Sequence, residues 1–313
     1  MDKYIVLNIC GVKSLGGLNV VAAAINAIEK SEYKIILLHN NNMTENMLLK
    51  TGIQQMETNL NRYFHPYLNI FLNKKDLNTI NKSAAIIHFG NFGFKTKNKS
   101  YTLIQNLLPL EVKNVKNIIL KYFISRSFKQ SNHIVYQLEH VAKKINTRFE
   151  SKLIKIGVIE KFVKDVNDNI GIIGIRSQIR NKNSSFMEKV FERITIEVPE
   201  LKITKFISEE GQSSLIENTF SLMDGFSKHS IYFHTSFIET VGLPLYEASS
   251  AGLFIVAPDS EYMEHFDTTN SIKYKSGDID SATACLKEAL NLEKNNFYSL
   301  SYKENWIPVL ESI

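Results

Sequence analysis

The sequence predicts an α/β protein of two successive domains, each built on a parallel sheet with helices over both faces. Two observations predict it. Short apolar runs of strand length alternate with amphipathic segments of helix length almost from end to end, which is how a parallel sheet with crossover helices reads. The alternation pauses at a polar, charged stretch, residues 160–168, and then starts again within 313 residues, a length that suits two domains.

In the first half the expected strands are Tyr4–Asn8, Lys34–His39, Ala84–Phe89, Tyr101–Gln105, His133–Gln137 and Leu153–Val158. Leu18–Glu29, Pro66–Lys82, Val112–Ser127 and Leu138–Thr147 are the helices between them. In the second half, strands are expected at Asn169–Gly174, Leu201–Ile207, Ser230–His234 and Leu253–Ala257. The matching helices are Ser185–Ile194, Leu243–Ala251 and Asp280–Leu292. The boundary is placed after Gly157, giving domains 1–157 and 158–313. No short-period repeat relates the halves.

Hydrophobic residues make up 44% of the chain and charged residues 22%, an ordinary globular balance with enough apolar material for two cores. The net charge of +5 is too modest, and too little organised into a basic stripe with aromatics, to predict nucleic-acid binding. Phosphate-bearing ligands or an anionic membrane surface account for it equally. Cys10 and Cys285 are far apart and lack metal-ligand spacing, so neither a disulfide framework nor a zinc site is expected. The opening MDKYIVLNICGV lacks the layout of a secretion signal, and no run reaches the roughly 18 apolar residues of a membrane span. A cytoplasmic location is expected, with peripheral membrane contact at the inner face left open.

The most informative segment runs from His234 to Gly252, HTSFIETVGLPLYEASSAG. A buried strand ends near His234, a loop carries Glu239 and Gly242, and a helix begins near Leu243–Pro244. Proline suits the start of a helix, where its missing N–H costs nothing. Glycine allows close approach of a ligand to the backbone. The N–H groups of Val241, Gly242 and Leu243 then form an anion site at the positive end of the helix. Glu239 and Glu247 can point to one cleft, where a carboxylate beside a phosphate makes sense as an acceptor for sugar hydroxyls.

This string resembles the signature of the retaining glycosyltransferases of the GT-B fold known as family 4, or group 1. Their pattern is E-x7-E with G-L-P inside, then E-A and A-G. The sequence supplies Glu239, Gly242-Leu243-Pro244, Glu247-Ala248 and Ala251-Gly252 in order. The resemblance implies two facing Rossmann-like domains with an interdomain cleft, the acceptor side N-terminal and the nucleotide-sugar side C-terminal. It implies that Glu239 contacts the donor sugar, that Glu247 binds the ribose, and that the amides between them hold the diphosphate.

Three further segments are read beside it. After the strand in GIIGIRSQIRNK, Arg176 and Lys182 match the family's arginine and lysine that neutralise the diphosphate, with Arg180 a rival for either role. Gly16-Gly17, before the first helix, resembles the family's glycine-rich loop; a plain strand–helix turn explains it equally. Asn106, in the Gln105-Asn106 step after the fourth strand, stands where many relatives carry a histidine and is expected to hold a sugar or acceptor hydroxyl.

His88, His133 and His140 read as structural. Asp278-Ile-Asp280, the one D-x-D string, reads as a helix cap rather than a metal site. No metal and no cofactor is therefore expected, and Arg/Lys take a cation's role. The resemblance implies a hexosyltransferase that moves sugar from a nucleoside diphosphate to a glycan or lipid-linked glycan hydroxyl, in bacterial surface polysaccharide or lipopolysaccharide synthesis. A sugar-nucleotide epimerase of the same fold, or a non-catalytic binding partner, is the alternative. Residues 112–129 mix Ile118, Ile119 and Tyr122 with five Lys/Arg, which serves either a core face or an anionic lipid surface.

Overall fold

Strand β1, Lys3–Asn8, shows why the first half folds as it does. Its Ile5 and Leu7 enter one apolar cluster and its Val6 another, because successive side chains of a strand leave opposite faces. Strand β2, Tyr33–Asn40, repeats this with Ile35 and Leu37 on one face and Ile36 and Leu38 on the other. A strand apolar on both faces must be covered on both, which a parallel sheet with crossover helices achieves.

The computed structural model describes residues 3–12, 15–40, 53–58, 67, 72–145, 147–164, 170–177, 180–208, 222–292 and 298–313. They fall into two units, Met1–Val158 with Glu304–Ile313, and Ile159–Lys303.

The first unit carries a seven-stranded sheet in the order β3-β2-β1-β4-β5-β6-β7, with every pairing parallel. After β1 and β2 come β3 (Gln54–Thr58), β4 (Ala85–His88), β5 (Lys99–Leu103), β6 (His133–Tyr136) and β7 (Leu153–Lys155). Helix α1 (Leu15–Ile28) covers one face through Val20, Val21, Ala24 and Ile28, and α2 (Lys74–Lys82) puts Ile80 against the other. The later helices are α3 (Leu108–Glu111), α4 (Val115–Gln130) and α5 (Glu139–Lys143). The strand order reverses between β1 and β4, and ligands of open α/β sheets bind beyond the carboxyl ends of strands at such a reversal.

The second unit has a five-stranded sheet, β10-β9-β11-β12-β13, again parallel throughout. Its strands are β9 (Ile172–Ser177), β10 (Ile203–Ser208), β11 (Ile231–Phe233), β12 (Phe254–Pro258) and β13 (Ser271–Tyr274). Helices α6 (Ser184–Glu197), α7 (Leu243–Ser250) and α8 (Ile279–Asn291) belong to it. Ile172, Ile231, Phe233 and Val256 pack against Met187, Val190 and Phe191 of α6 and Leu286 of α8. Asp278 caps α8 by accepting from the Ser281 amide at 3.0 Å. The order reverses between β9 and β11. Strands β8 (Gly157–Val163) and β14 (Tyr298–Glu304) pair in a separate ribbon.

The structure departs from the sequence expectations in several places. Leu153–Val158 is not one strand, for β7 ends at Lys155 and β8 starts at Gly157. Strands β3, β13 and β14 carry too many polar residues to stand out as apolar runs. Leu138–Thr147 keeps only α5 as helix, and the part of Pro66–Lys82 before residue 72 lies, Tyr67 aside, outside the described residues.

The largest departure concerns the second domain, expected to run to residue 313. Glu304–Ile313 instead joins the first unit. Helix α9 (Ile307–Glu311) and the residue before it place Trp306 and Val309 in the cluster around β1. Trp306 lies 5.8 Å from the Phe89 ring, and Tyr101 and Ser312 share a hydrogen bond of 2.9 Å. Trp306→Ala should therefore destabilise the first unit by about 3–5 kcal/mol, the usual cost of emptying a large aromatic site. Urea unfolding followed separately for each unit checks this. The transition of the second unit should hardly move.

Candidate functional site

The reversal point of the second sheet brings two loops together. The loop after β9 contains a short 3-10 turn, Arg180–Lys182, and the loop after β11 runs from His234 to Gly242. Three hydrogen bonds lace them. Asn181 Nδ2 donates to the Ile238 carbonyl at 3.1 Å, the Phe237 amide to the Asn181 carbonyl at 3.2 Å, and Thr235 Oγ1 to the Lys182 carbonyl at 2.7 Å. The backbone that carries Lys182 is thereby fixed against the backbone that carries Glu239. Across this junction Lys182 Nζ meets Glu239 Oε1 at 2.5 Å, with the two side chains only 24% and 11% exposed.

Burial alone would push the Glu239 carboxyl upward, but Lys182, His234 and hydrogen bonds from Lys182 and Ser236 outweigh it. The group is held below the usual carboxylate range and stays ionised. Glu247, on α7, has no such compensation. Its burial raises its pKa, and the charge of Lys182 only partly opposes this. The two glutamates of the E-x7-E string thus sit in different electrostatic settings around one ammonium.

His234 stands behind Glu239, with Nε2 3.7 Å from Oε1. Burial lowers its pKa to about 3, so the ring is neutral. Tyr232 Oη and His234 Nδ1 are 3.0 Å apart. A hydroxyl donating to Nδ1 leaves the proton on Nε2, facing the carboxylate. Tyr274 donates to the His234 carbonyl at 2.9 Å, and Tyr262 donates to the Ser236 carbonyl. Strand β13 and the turn after β12 therefore hold the floor of the loop.

Gly242 caps helix α7 with φ 71° and ψ 50°, the left-handed region. A non-glycine residue there costs about 1–2 kcal/mol. A Cβ would also approach Leu245 Cδ1 to 2.8 Å, and Leu245 is fully buried. Pro244 at the second helical position has no N–H. The donors at this helix start are therefore Val241, Gly242 and Leu243, and they lie where the helix dipole favours negative charge.

Lys182, Glu239, Glu247 and the Val241–Leu243 amides are thus gathered at one reversal point. Arg176 is not gathered with them. Strand β9 extends to Ser177, so Arg176 lies within the strand, and its Nε faces Glu188 of α6 at 3.8 Å. The side chain of Arg180 lies outside the described residues.

The remaining candidates belong to the first unit. Gly16 and Gly17 open α1, and the Gly17 carbonyl accepts from Gln105 Nε2 at 3.3 Å. Asn106 is exposed, and its side-chain oxygen accepts from the Leu108 amide at 2.9 Å. That bond gives it a local turn role at the start of α3. The neighbouring loop is pinned by Asn91, at φ 74°, which accepts from the Gln105 and Asn106 amides at 2.7 and 3.1 Å. Asn8 Nδ2 and His88 Nδ1, 2.9 Å apart at the ends of β1 and β4, agree with a structural role for that histidine.

Sequence reasoning passed over His234, Tyr232, Asn181 and Thr235. His234 alone had a readable signal, a polar ring closing an otherwise apolar strand.

No protein-family model and no curated protein matches the sequence. Solved structures do match the fold. HepE from Anabaena, solved with UDP and glucose, matches with a TM-score of 0.63 over 93% of this chain and 90% of its own, at 12% identity. WaaG, a glycosyltransferase involved in lipopolysaccharide biosynthesis, gives 0.59 over 93% and 91%, at 8% identity. S. aureus TarM, solved with Fondaparinux, alpha-GlcNAc-glycerol and UDP, gives 0.53 at 16% identity. The match covers 72% of this chain and 52% of TarM, so the chain spans about half the length of that protein. At such identities the likeness carries the fold. The chain has the GT-B fold, with a parallel sheet in each of two α/β units.

The ion pair makes a stability prediction. Lys182→Met leaves the Glu239 carboxylate buried beside an apolar chain, which should cost on the order of 3 kcal/mol at pH 7. The lost cation lets burial raise the Glu239 pKa above its unfolded value, so the deficit should shrink as pH falls from 7 toward that value. Adding Glu239→Gln should restore much of the loss at neutral pH. Urea midpoints across pH, for the single and double variants, check both signs.

Proposed function

We propose that this chain is a retaining glycosyltransferase whose second unit binds a nucleoside diphosphate sugar and whose first unit takes the acceptor. The observation that carries this reading is the Lys182–Glu239 pair at the β9/β11 reversal, beside the glycine-capped start of α7. An anion-binding helix start, a cation and an ionised hydroxyl acceptor are the three groups a diphosphate linked to a sugar requires.

Lys182 and Glu239 neutralise one another across the loop junction. The incoming diphosphate lies on the Val241–Leu243 amides, and Lys182 passes from the carboxylate to the phosphate. Glu239 is then released to accept hydrogen bonds from the sugar hydroxyls, with the neutral His234 ring still at its back. Glu247, one turn further along α7, takes the ribose hydroxyls.

For transfer, the acceptor oxygen attacks the anomeric carbon on the face from which the diphosphate leaves. The bond from that carbon to the phosphate oxygen breaks, and the departing phosphate takes the acceptor proton. Lys182 and the helix start stabilise the charge that develops on the leaving group, a role a metal ion fills elsewhere. Arg176 joins only on leaving Glu188, so its loss should matter less than that of Lys182. For the acceptor we propose a hydroxyl of a bacterial surface glycan or its lipid-linked precursor. WaaG's part in lipopolysaccharide synthesis supports that choice.

The two glutamates test the proposal. Glu247→Ala should weaken binding of the matching free diphosphate, found by titrating UDP, ADP and GDP, by about 1–3 kcal/mol. Glu239→Gln frees Lys182 for the phosphate, so it should not weaken that binding, and it should lower kcat by roughly 10²-fold or more. Calorimetric titration and steady-state kinetics measure the pair. Equal losses of diphosphate affinity in both variants would misplace Glu239, and no binding of any diphosphate by the parent chain would remove the donor site.

A further inference from the structure

Helix α4 has apolar residues on two opposite sides. One side buries Ile124 and Phe128, together with Asn117 and Ser127, on the first unit. The other carries Val115, Ile118, Ile119 and Tyr122, and these are between 52% and 77% exposed. Their spacing of i, i+3, i+4 and i+7 makes one continuous stripe on a helix of about 3.6 residues per turn, spanning ~10 Å of its length. Elsewhere among the described residues, large exposed apolar side chains are scattered singly or in pairs along the chain.

The charge around this stripe is equally one-sided. Residues 112–131 contain Lys113, Lys116, Lys121, Arg126 and Lys129 and no aspartate or glutamate, so this short segment carries +5, as much as the whole chain. Lys113, Lys116, Lys121 and Lys129 are exposed. Arg126 turns back over the Tyr67 ring, 4.6 Å from its centroid. Asn114 caps the helix by accepting from the Asn117 amide at 2.8 Å, which fixes it in place ahead of any partner. No helix among the described residues is long and apolar enough to cross a membrane.

We infer that α4 docks this chain flat onto an anionic lipid bilayer, with Val115, Ile118, Ile119 and Tyr122 entering the acyl boundary and the flanking lysines meeting the headgroups. The charge pattern selects this occupant. A self-complementary dimer through the stripe would bring two lysine-rich rims together without acidic partners, whereas anionic headgroups attract the rim and acyl chains accept the stripe. The inference stands independently of the transfer reaction.

Co-sedimentation with phosphatidylcholine vesicles, with and without phosphatidylglycerol, tests it. The chain should bind the mixed vesicles at least about tenfold more tightly than pure phosphatidylcholine, and salt on the order of 0.5 M should remove most of the difference. Ile118→Ser with Ile119→Ser and Tyr122→Ser should weaken binding by about tenfold or more at an unchanged thermal midpoint. A second variant guards against misfolding of the first. The single native tryptophan, Trp306, is buried, so Tyr122→Trp adds a surface reporter whose emission should shift to the blue with phosphatidylglycerol vesicles only. Absence of vesicle binding, binding indifferent to the serine substitutions, or no shift from the new tryptophan overturns the inference. So does a concentration-dependent dimer that the serine substitutions abolish while the vesicles go unbound.

Discussion

A lysine ammonium and a glutamate carboxylate held 2.5 Å apart in a largely buried loop junction constrain everything around them. Taking two charges out of water costs several kcal/mol for each, and their attraction offsets this only when geometry is good and the remaining valences are filled. The junction supplies both. Thr235 and Asn181 fix the backbone of each partner, Ser236 bonds the carboxylate, and a neutral histidine rather than a second cation stands behind it. The neutrality of His234 follows from its burial and from Lys182, whose charge disfavours a protonated ring nearby. In the proposed reaction this pair exchanges partners, since a diphosphate would offer Lys182 more negative charge than one carboxylate does.

The fold puts that pair where it is. A parallel sheet whose strand order reverses between β9 and β11 starts the two following loops side by side at the carboxyl ends of its strands, where open α/β sheets bind their ligands. Lys182 comes from one loop and Glu239 from the other, so neither side chain has to reach far. Gly242 then turns the chain through a left-handed conformation into α7, whose start lies at the same loop junction. Tyr274 reaches the His234 carbonyl from β13, so even the outermost strand of the sheet bears on the loop.

Much of this was legible in the sequence, and the exceptions have physical causes. Strands such as β1, β2 and β12 are runs of Ile, Val, Leu and Phe buried on both faces, and such runs announce themselves. β3 and β13 are outermost in their sheets and carry Gln, Glu, Ser and Lys, so apolar patterning is lost there. The return of Trp306 to the first unit is a long-range packing choice for which no local pattern exists. Gly242 and Glu247 fall where the sequence places them, at and within the helix that follows a buried strand, because helix-start chemistry ties them to one short string with Glu239. The sequence places Arg176 in a loop, but β9 continues through it and the pleat turns its side chain toward Glu188. The resemblance implies a ligand-binding role for Asn106, whose side chain is occupied in part by the turn that begins α3.

In the proposed reaction Lys182 changes partner when a diphosphate arrives. A crystal structure of the second unit's site with the bound nucleoside diphosphate tests this most directly. A phosphate oxygen is expected within about 3 Å of Lys182 Nζ and of the Val241–Leu243 amides, at ordinary hydrogen-bond distance. Glu239 should then be parted from the lysine and still backed by His234. A diphosphate bound elsewhere, or one bound there with the Lys182–Glu239 pair intact, would contradict it.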